Sequence, residues 1–242
     1  MNAKKSQFLK GLRDGLPIGL GYLSVSFAFG IFAVAEGLLP IEALLISMAN
    51  LTSAGQLAAV PIIAGGGGLI ELAFTQIVIN LRYSLMSTSL SQRLDKDVRL
   101  ADRFLISFGN TDEVFAVAFS QPNAVTKWYM YGLIVLPFVG WSTGTIVGAL
   151  AGNVFPPMLM SALGVAIYGM FIAIVLPGVK KSTATALCVL LAIAIKCLFY
   201  YVPLFSFIPE GFTIIISAAA ASAVFALRDS LLAKKEKEGQ SS

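Results

Sequence analysis

Three groups of polar residues interrupt an otherwise apolar chain, and their types and spacing suit the holding of a small charged solute. The first is Asn50-Leu51-Thr52-Ser53-Ala54-Gly55-Gln56. A small-and-amide segment of this kind can break a helix and turn backbone N–H and C=O groups toward a ligand, as half-helix ends do for zwitterions in many transporters. The alternative is a hydrogen-bond patch between helices. The second group is Asn80-Leu81-Arg82-Tyr83, in the middle of an apolar run. Arginine at the centre of a membrane helix costs roughly 2.5–3.5 kcal/mol on insertion scales, so it needs a carboxylate, a cavity or a route to the interface. Its guanidinium can hold a substrate carboxylate bidentately, pair with an acid on another helix, or snorkel. The third group is Asn110-Thr111-Asp112-Glu113. Adjacent helical positions point about 100° apart, so one acid can pair with Arg82 while the other faces a cavity. A desolvated carboxyl takes up a proton more readily, as proton coupling requires. The alternative sets both acids at a membrane surface beside Arg103. The candidate substrate-binding residues are therefore Asn50, Ser53, Gly55, Gln56 and Asn80. The candidate coupling or gating residues are Arg82, Asp112 and Glu113.

Other chemistries are excluded by what the chain lacks. It has no histidine, which removes histidine metal sites, Ser–His and Cys–His dyads and histidine proton relays. Cys188 and Cys197 lie nine positions apart in one apolar run, about 13 Å along a helix and too far for a disulfide. No pair of aspartates stands on separate spans in the manner of an intramembrane protease. No catalytic residue, metal site or cofactor is expected, and the chain is read as a non-enzyme. Gly65–Gly68 forms a turn without the Lys-Ser/Thr continuation of a phosphate loop.

The elements that must position the polar groups are membrane helices. Hydrophobic residues make up 57% of the chain and charged ones 12%, about half of the roughly 25% that a soluble domain needs to wet its surface. Runs of the roughly 20 residues that cross a hydrocarbon core of about 30 Å fall at Leu16–Leu39, Leu69–Leu90, Trp128–Ala151, Met158–Pro177, Thr183–Val202 and Phe212–Leu227. The stretches Ile41–Ala64 and Phe104–Phe119 are apolar but interrupted by the first and third polar groups. The N-terminal run is longer than the apolar region of a cleaved signal peptide and is read as a retained first helix.

Charge placement decides what the two interrupted stretches do. The N-terminus, the Arg93–Arg103 loop, Lys127, Lys180–Lys181 and the tail carry the lysines and arginines and should be cytoplasmic. If all eight stretches crossed, the Arg93–Arg103 loop would lie outside. The conflict disappears if both interrupted stretches enter and leave on one side, which irregular backbone tolerates only when buried in protein or lining a cavity. A second arrangement keeps one of them as a full span. The expected fold is an all-α, polytopic transmembrane bundle with about six full spans, two broken or re-entrant segments and both termini cytoplasmic. It forms a single transmembrane domain over residues 1–242, with a cytoplasmic N-terminal segment (1–14) and tail (228–242). The net charge of +4 matches orientation signals and anionic lipid, not nucleic acid. Glycines repeat every four residues at Gly11, Gly15 and Gly19 and from Gly140 to Gly152, which predicts close helix packing. Lys196, near Tyr200 and Tyr201, is read as snorkelling to the interface.

In order and spacing, Gly15-Leu16-Pro17-Ile18-Gly19, Phe29-Gly30, Ser53-Ala54-Gly55-Gln56, Asn80-Leu81-Arg82-Tyr83 and Asp112-Glu113 resemble the AzlC-type, azaleucine-resistance family of bacterial branched-chain amino acid permeases. The likeness runs over nearly the whole chain and is strongest in its first half. Ser53 and Tyr83 depart from the usual family form, which often has histidine after the arginine. The resemblance implies export of Leu, Ile, Val and sometimes Met across the bacterial inner membrane, with a small companion subunit of the AzlD type. Because the chain carries no nucleotide-binding domain, coupling to a proton gradient or the membrane potential is the economical assumption. The competing readings are a passive channel, a transporter of another small solute or ion, and a scaffold for another subunit. Saturable counterflow of labelled leucine would separate a carrier from a channel.

Overall fold

A computed structural model describes residues 3–152, 172, 176, 179–180, 182–205 and 207–239. The chain is all-α, with helices α1 (Ala3–Ala35), α2 (Pro40–Ala49), α3 (Ser53–Ala64), α4 (Leu69–Ser91), α5 (Leu100–Phe108), α6 (Asp112–Phe119), α7 (Lys127–Gly152), α8 (Thr183–Tyr201) and α9 (Glu210–Gly239). Among the described residues, five helical stretches are long and apolar enough to cross a membrane: α1, α4, α7, α8 and Gly211–Arg228 of α9. The expected span Met158–Pro177 lies outside the described residues, apart from residues 172 and 176. Helix α1 begins at Ala3 and α9 runs on to Gly239, so most of segments 1–14 and 228–242 is helical.

The chain divides into two compact units. One comprises Met1–Gly65 and Ile79–Ile167; the other comprises Gly66–Val78 and Tyr168–Ser242.

The first unit is organised by α1 against α7. The glycine rows predicted to pack closely face one another. A Cβ added at Gly30 would stand 2.1 Å from the Thr145 carbonyl oxygen, and one at Gly148 would stand 2.0 Å from that of Phe27. At the other end, a Cβ on Gly132 would meet the Phe8 carbonyl oxygen at 2.1 Å. Only glycine permits such an approach of backbones. The register rises on both helices together, from Phe8 beside Gly132 to Phe27 beside Gly148, so α1 and α7 run parallel.

This seam serves as a ruler for the interrupted stretches. Segment α5–α6 starts with Asp102 bonded to Lys127 Nζ at 3.0 Å and to the Tyr131 hydroxyl. It climbs to Gly109, whose hydrogen-sized face lies against Ile134, and turns at Gly109–Thr111. It then descends to Gln121, which donates to Tyr129 (2.8 Å) and accepts from Lys10 (2.8 Å). Both feet stand at the N-terminal end of α1 and α7. Nine residues in α5 and eight in α6 reach roughly 12–14 Å at 1.5 Å per residue, less than half of a hydrocarbon core of about 30 Å.

Segment α2–α3 does the same from the opposite end. Ala43 and Val60 share a core with Phe29, Ala33 and Ala149, while the tip residue Leu51 packs with Tyr22 and Trp141. Gly37, at φ 96°, makes the turn from α1 into this segment, a conformation that favours glycine. Both stretches are thus broken hairpins that return to the side they left. A full crossing by one of them would instead make α7 antiparallel to α1.

The feet at the N-terminal end are tied firmly. Leu94 and Val125 form an isolated parallel bridge, and Arg93 donates to the carbonyls of Gln121 and Phe119. The Tyr131 hydroxyl, the Arg99 N–H and Lys127 together hold the Asp102 carboxyl down at about 2. In the second unit, the Gly211 N–H donates to Glu71 (2.8 Å), and Phe74 lies against Phe212. Lys196 donates to Thr213 at 2.6 Å. A hydroxyl on the neighbouring helix therefore engages the ammonium expected to snorkel, while Tyr200 and Tyr201 are exposed as an interfacial belt requires.

The seam makes a direct prediction. Gly30→Ala should lower the melting temperature of the purified protein, by the equivalent of about 1–3 kcal/mol of overpacking. Gly21→Ala, with nothing within 4 Å of the new Cβ, should leave it unchanged or slightly raised. Equal melting of the two variants would refute the backbone contact.

Candidate functional site

The two hairpin tips meet at mid-depth in the first unit, beside the centre of α4. A cavity of about 210 Å³ lies there. The first tip contributes Ala49, Asn50, Leu51 and Thr52; the second contributes Ser107, Phe108, Asn110 and Thr111; α4 contributes Asn80 and Tyr83. Cavities for drug-sized ligands run to about 300–1,000 Å³, so this one suits a smaller solute. Its wall combines three amides, hydroxyls and a phenol with the apolar Leu51 and Phe108, and it contains no charged side chain.

The broken helices supply further polarity. Helices α2 and α5 end at the cavity, with the partial negative charge of their carbonyls; α3 and α6 begin there, with partial positive charge. Thr111 caps α6 by accepting from the Val114 N–H at 3.4 Å. Thr52 makes no such bond to α3 and instead donates to Asn50 Oδ1 at 3.0 Å. The first N–H groups of α3 therefore lack a side-chain cap from Thr52. Asn110 is 3% exposed and donates to Ser87 Oγ at 3.1 Å. Its Oδ1 is buried with no hydrogen-bond partner among the described residues. A buried carbonyl oxygen left without a donor costs stability.

The charged residues stand just outside this wall. Arg82 pairs with Asp112 at 2.8 Å. Tyr83 bridges them, accepting from Arg82 at 3.0 Å and donating to Asp112 at 3.3 Å. Glu113 accepts from the Tyr22 hydroxyl of α1. The Tyr22 ring meets Trp141 edge to face at 5.0 Å, and the Trp141 indole donates to Gln56 Oε1 at 3.0 Å. Gln56 in turn donates to Ser47 at 2.8 Å, and Ser47 shares a hydrogen bond with Thr145 at 2.7 Å. A continuous chain of contacts thus links the second tip, through α1 and α7, to the first.

Residues 17–155 match the AzlC protein family. The chain belongs to that family. It is 31% identical over 193 residues to the inner membrane protein YgaZ of Escherichia coli, covering 77% of this chain and 78% of the relative. It is 33% identical over 180 residues to a membrane protein of Archaeoglobus fulgidus, covering 74% and 78%. Over 158 residues it is 25% identical to the branched-chain amino acid transport protein AzlC of Bacillus subtilis, covering 62% and 61%. No solved structure matches the chain.

The AzlC match spans both hairpins, α4 and α7, and therefore the whole cavity. Of the residues singled out in the sequence, Asn50 and Asn80 line it. Ser53 and Gly55 lie in the first turn of α3, behind the tip. Gln56 is fully buried, with both ends of its amide engaged by protein, and lies outside the lining. Asp112 takes the pairing with Arg82 expected of one acid. The other, Glu113, does not face the cavity as expected, because the Tyr22 hydroxyl on α1 lies within hydrogen-bond reach. Tyr22, Ser47 and Trp141 escaped notice. Tyr22 could have been found from spacing, since Gly11, Gly15, Gly19, Tyr22 and Ser26 form one buried stripe. Nothing in the local sequence marks Trp141 as the partner of Gln56.

The Arg82–Asp112 pair should behave as a coupled unit. Arg82→Gln and Asp112→Asn should each lower the melting temperature, and the double variant should melt above the worse single, because neither charge is then left without its partner. Strictly additive losses would show that the pair does not interact.

Proposed function

We propose that this AzlC-family chain is a secondary transporter that exports branched-chain amino acids (Leu, Ile, Val and Met) across the bacterial inner membrane. It is the large subunit of a two-component permease, with a small AzlD-type membrane protein as partner, and it performs no covalent chemistry. The observation that carries the reading is the uncharged cavity between the two hairpin tips, with a buried, unpartnered Asn110 Oδ1 on one side and Thr52, the residue that precedes α3, on the other. An amino acid is a zwitterion with a short side chain. Its ammonium would donate to Asn110 Oδ1 at the end where α2 and α5 terminate. Its carboxylate would lie beside Thr52, at the N-terminal end of α3, where the helix dipole attracts anions. A branched aliphatic side chain would lie on Leu51 and Phe108. The name of the Bacillus relative supports the same substrate class.

The cationic end, where Lys10, Arg93, Arg99 and Lys127 gather, faces the cytoplasm in this reading. The α2–α3 hairpin then enters from outside and α5–α6 from inside, so the cavity lies between two gates of opposite access, as alternating access requires. Transport draws on the proton gradient or the membrane potential, with Glu113, Asp112 and Arg82 beside the cavity as coupling groups.

Proteoliposomes holding the chain with its small subunit and loaded with labelled leucine should show saturable efflux that responds to an imposed gradient. Asn110→Leu should weaken leucine binding about tenfold or more, since a hydrogen bond to a charged group is worth about 1.5–3 kcal/mol. Absence of leucine efflux with the partner present would overturn the proposal.

A further inference from the structure

At the cationic end of the first unit lies a second and larger concavity, a basin of about 780 Å³. Lys4, Lys96, Arg99 and Lys127 line it, against the two carboxylates of Asp95 and Asp97. Lys127 is engaged with Asp102, whereas Lys96 and Arg99 are exposed and make no ion pair among the described residues. Trp128 forms part of the wall, with Lys4 at 5.8 Å and Lys127 at 6.0 Å from its ring. None of these groups belongs to the cavity between the tips. From these features we infer that the basin is a binding site for the phosphodiester headgroup of an anionic phospholipid.

Three observations select a lipid over a soluble anion. Trp128 stands in the first turn of α7, a membrane-length helix, and tryptophan at such a position sits at headgroup level. Lysine and arginine at that level attract anionic lipid, and a guanidinium can grip phosphate oxygens in pairs. An apolar path also leads away from the basin. Leu100 directly follows Arg99, and Leu100 and Phe104, four residues apart on one face of α5, are each 70% exposed. An acyl chain can lie along that face while its headgroup occupies the basin. Because α5 is also the inner leg of the hairpin that builds the transport cavity, the lipid would brace the foot of that hairpin.

Trp128 provides the probe, because the other tryptophan, Trp141, is buried in the bundle. The full chain is placed in nanodiscs containing bromine-labelled phosphatidylglycerol or bromine-labelled phosphatidylcholine at equal mole fraction, and tryptophan quenching is measured. The labelled phosphatidylglycerol should quench more. Lys96→Gln/Arg99→Gln should abolish the excess, and Lys96→Arg/Arg99→Lys should keep it. Lys5→Gln/Arg13→Gln, which removes the same charge elsewhere near the N-terminus, should also keep it. Melting in phosphatidylcholine discs verifies that each variant is folded. Equal quenching by the two lipids would overturn the inference, as would equal loss in both neutralised variants. Abolition of the excess by inorganic phosphate would show a site for the free anion and overturn the lipid assignment.

Discussion

When two helices run parallel and touch backbone to backbone, the chain between them must return to its starting side before the second begins. The glycine seam of α1 and α7 imposes that condition on residues 36–126, and the rest of the first unit follows from it. Within that unit, two segments enter from opposite ends of the seam, turn at mid-depth and leave as they came. Helix ends at that depth carry backbone N–H and C=O groups that lipid cannot satisfy. They must be buried in protein or line a cavity, and the tips at Asn50–Thr52 and Gly109–Thr111 do both. A cavity with four helix ends around it is therefore a consequence of the seam.

Tyr22 gives the two tips a common reference. It projects from the seam, donates to Glu113 of the second hairpin, and meets Leu51 and Trp141 of the first tip's surroundings. The charges are placed so as to leave the cavity uncharged: Asp112 is held by Arg82 and Tyr83, and Glu113 by Tyr22. What remains on the wall are amides, hydroxyls and helix dipoles. Such a wall favours a solute carrying both charges over one carrying a single net charge, because each end of a zwitterion finds a partial charge of opposite sign.

Much of this was legible in the sequence, each part for a definite reason. Membrane-length apolar runs announce helices because the bilayer fixes their length. The breaks at Asn50–Gly55 and Gly109–Asp112 announce themselves because polar residues are costly in lipid. The alternation of lysine-rich and lysine-free loops pointed to both broken stretches turning back, and each starts and ends at one end of the α1–α7 seam. The glycine rows declared close packing, yet spacing alone cannot say that Gly30 faces Thr145 or that the partners run parallel. Gln56 and Glu113 were read as facing the solute because their own neighbourhood is polar. Their actual partners, Trp141 and Tyr22, lie 85 and 91 residues away, beyond any local pattern. Asn110 was visible as a polar residue, but its unpartnered oxygen is a property of the folded site alone.

The central claim is that the cavity between the hairpin tips is where the amino acid sits. It is tested most directly with a single cysteine at Ala49, on the cavity wall, with Cys188 and Cys197 replaced by serine and the rate of maleimide labelling followed. Leucine should slow the labelling in a saturable way, with half-protection at the concentration that half-saturates efflux. A labelling rate that does not respond to saturating leucine, in a variant that still exports leucine, would contradict the account.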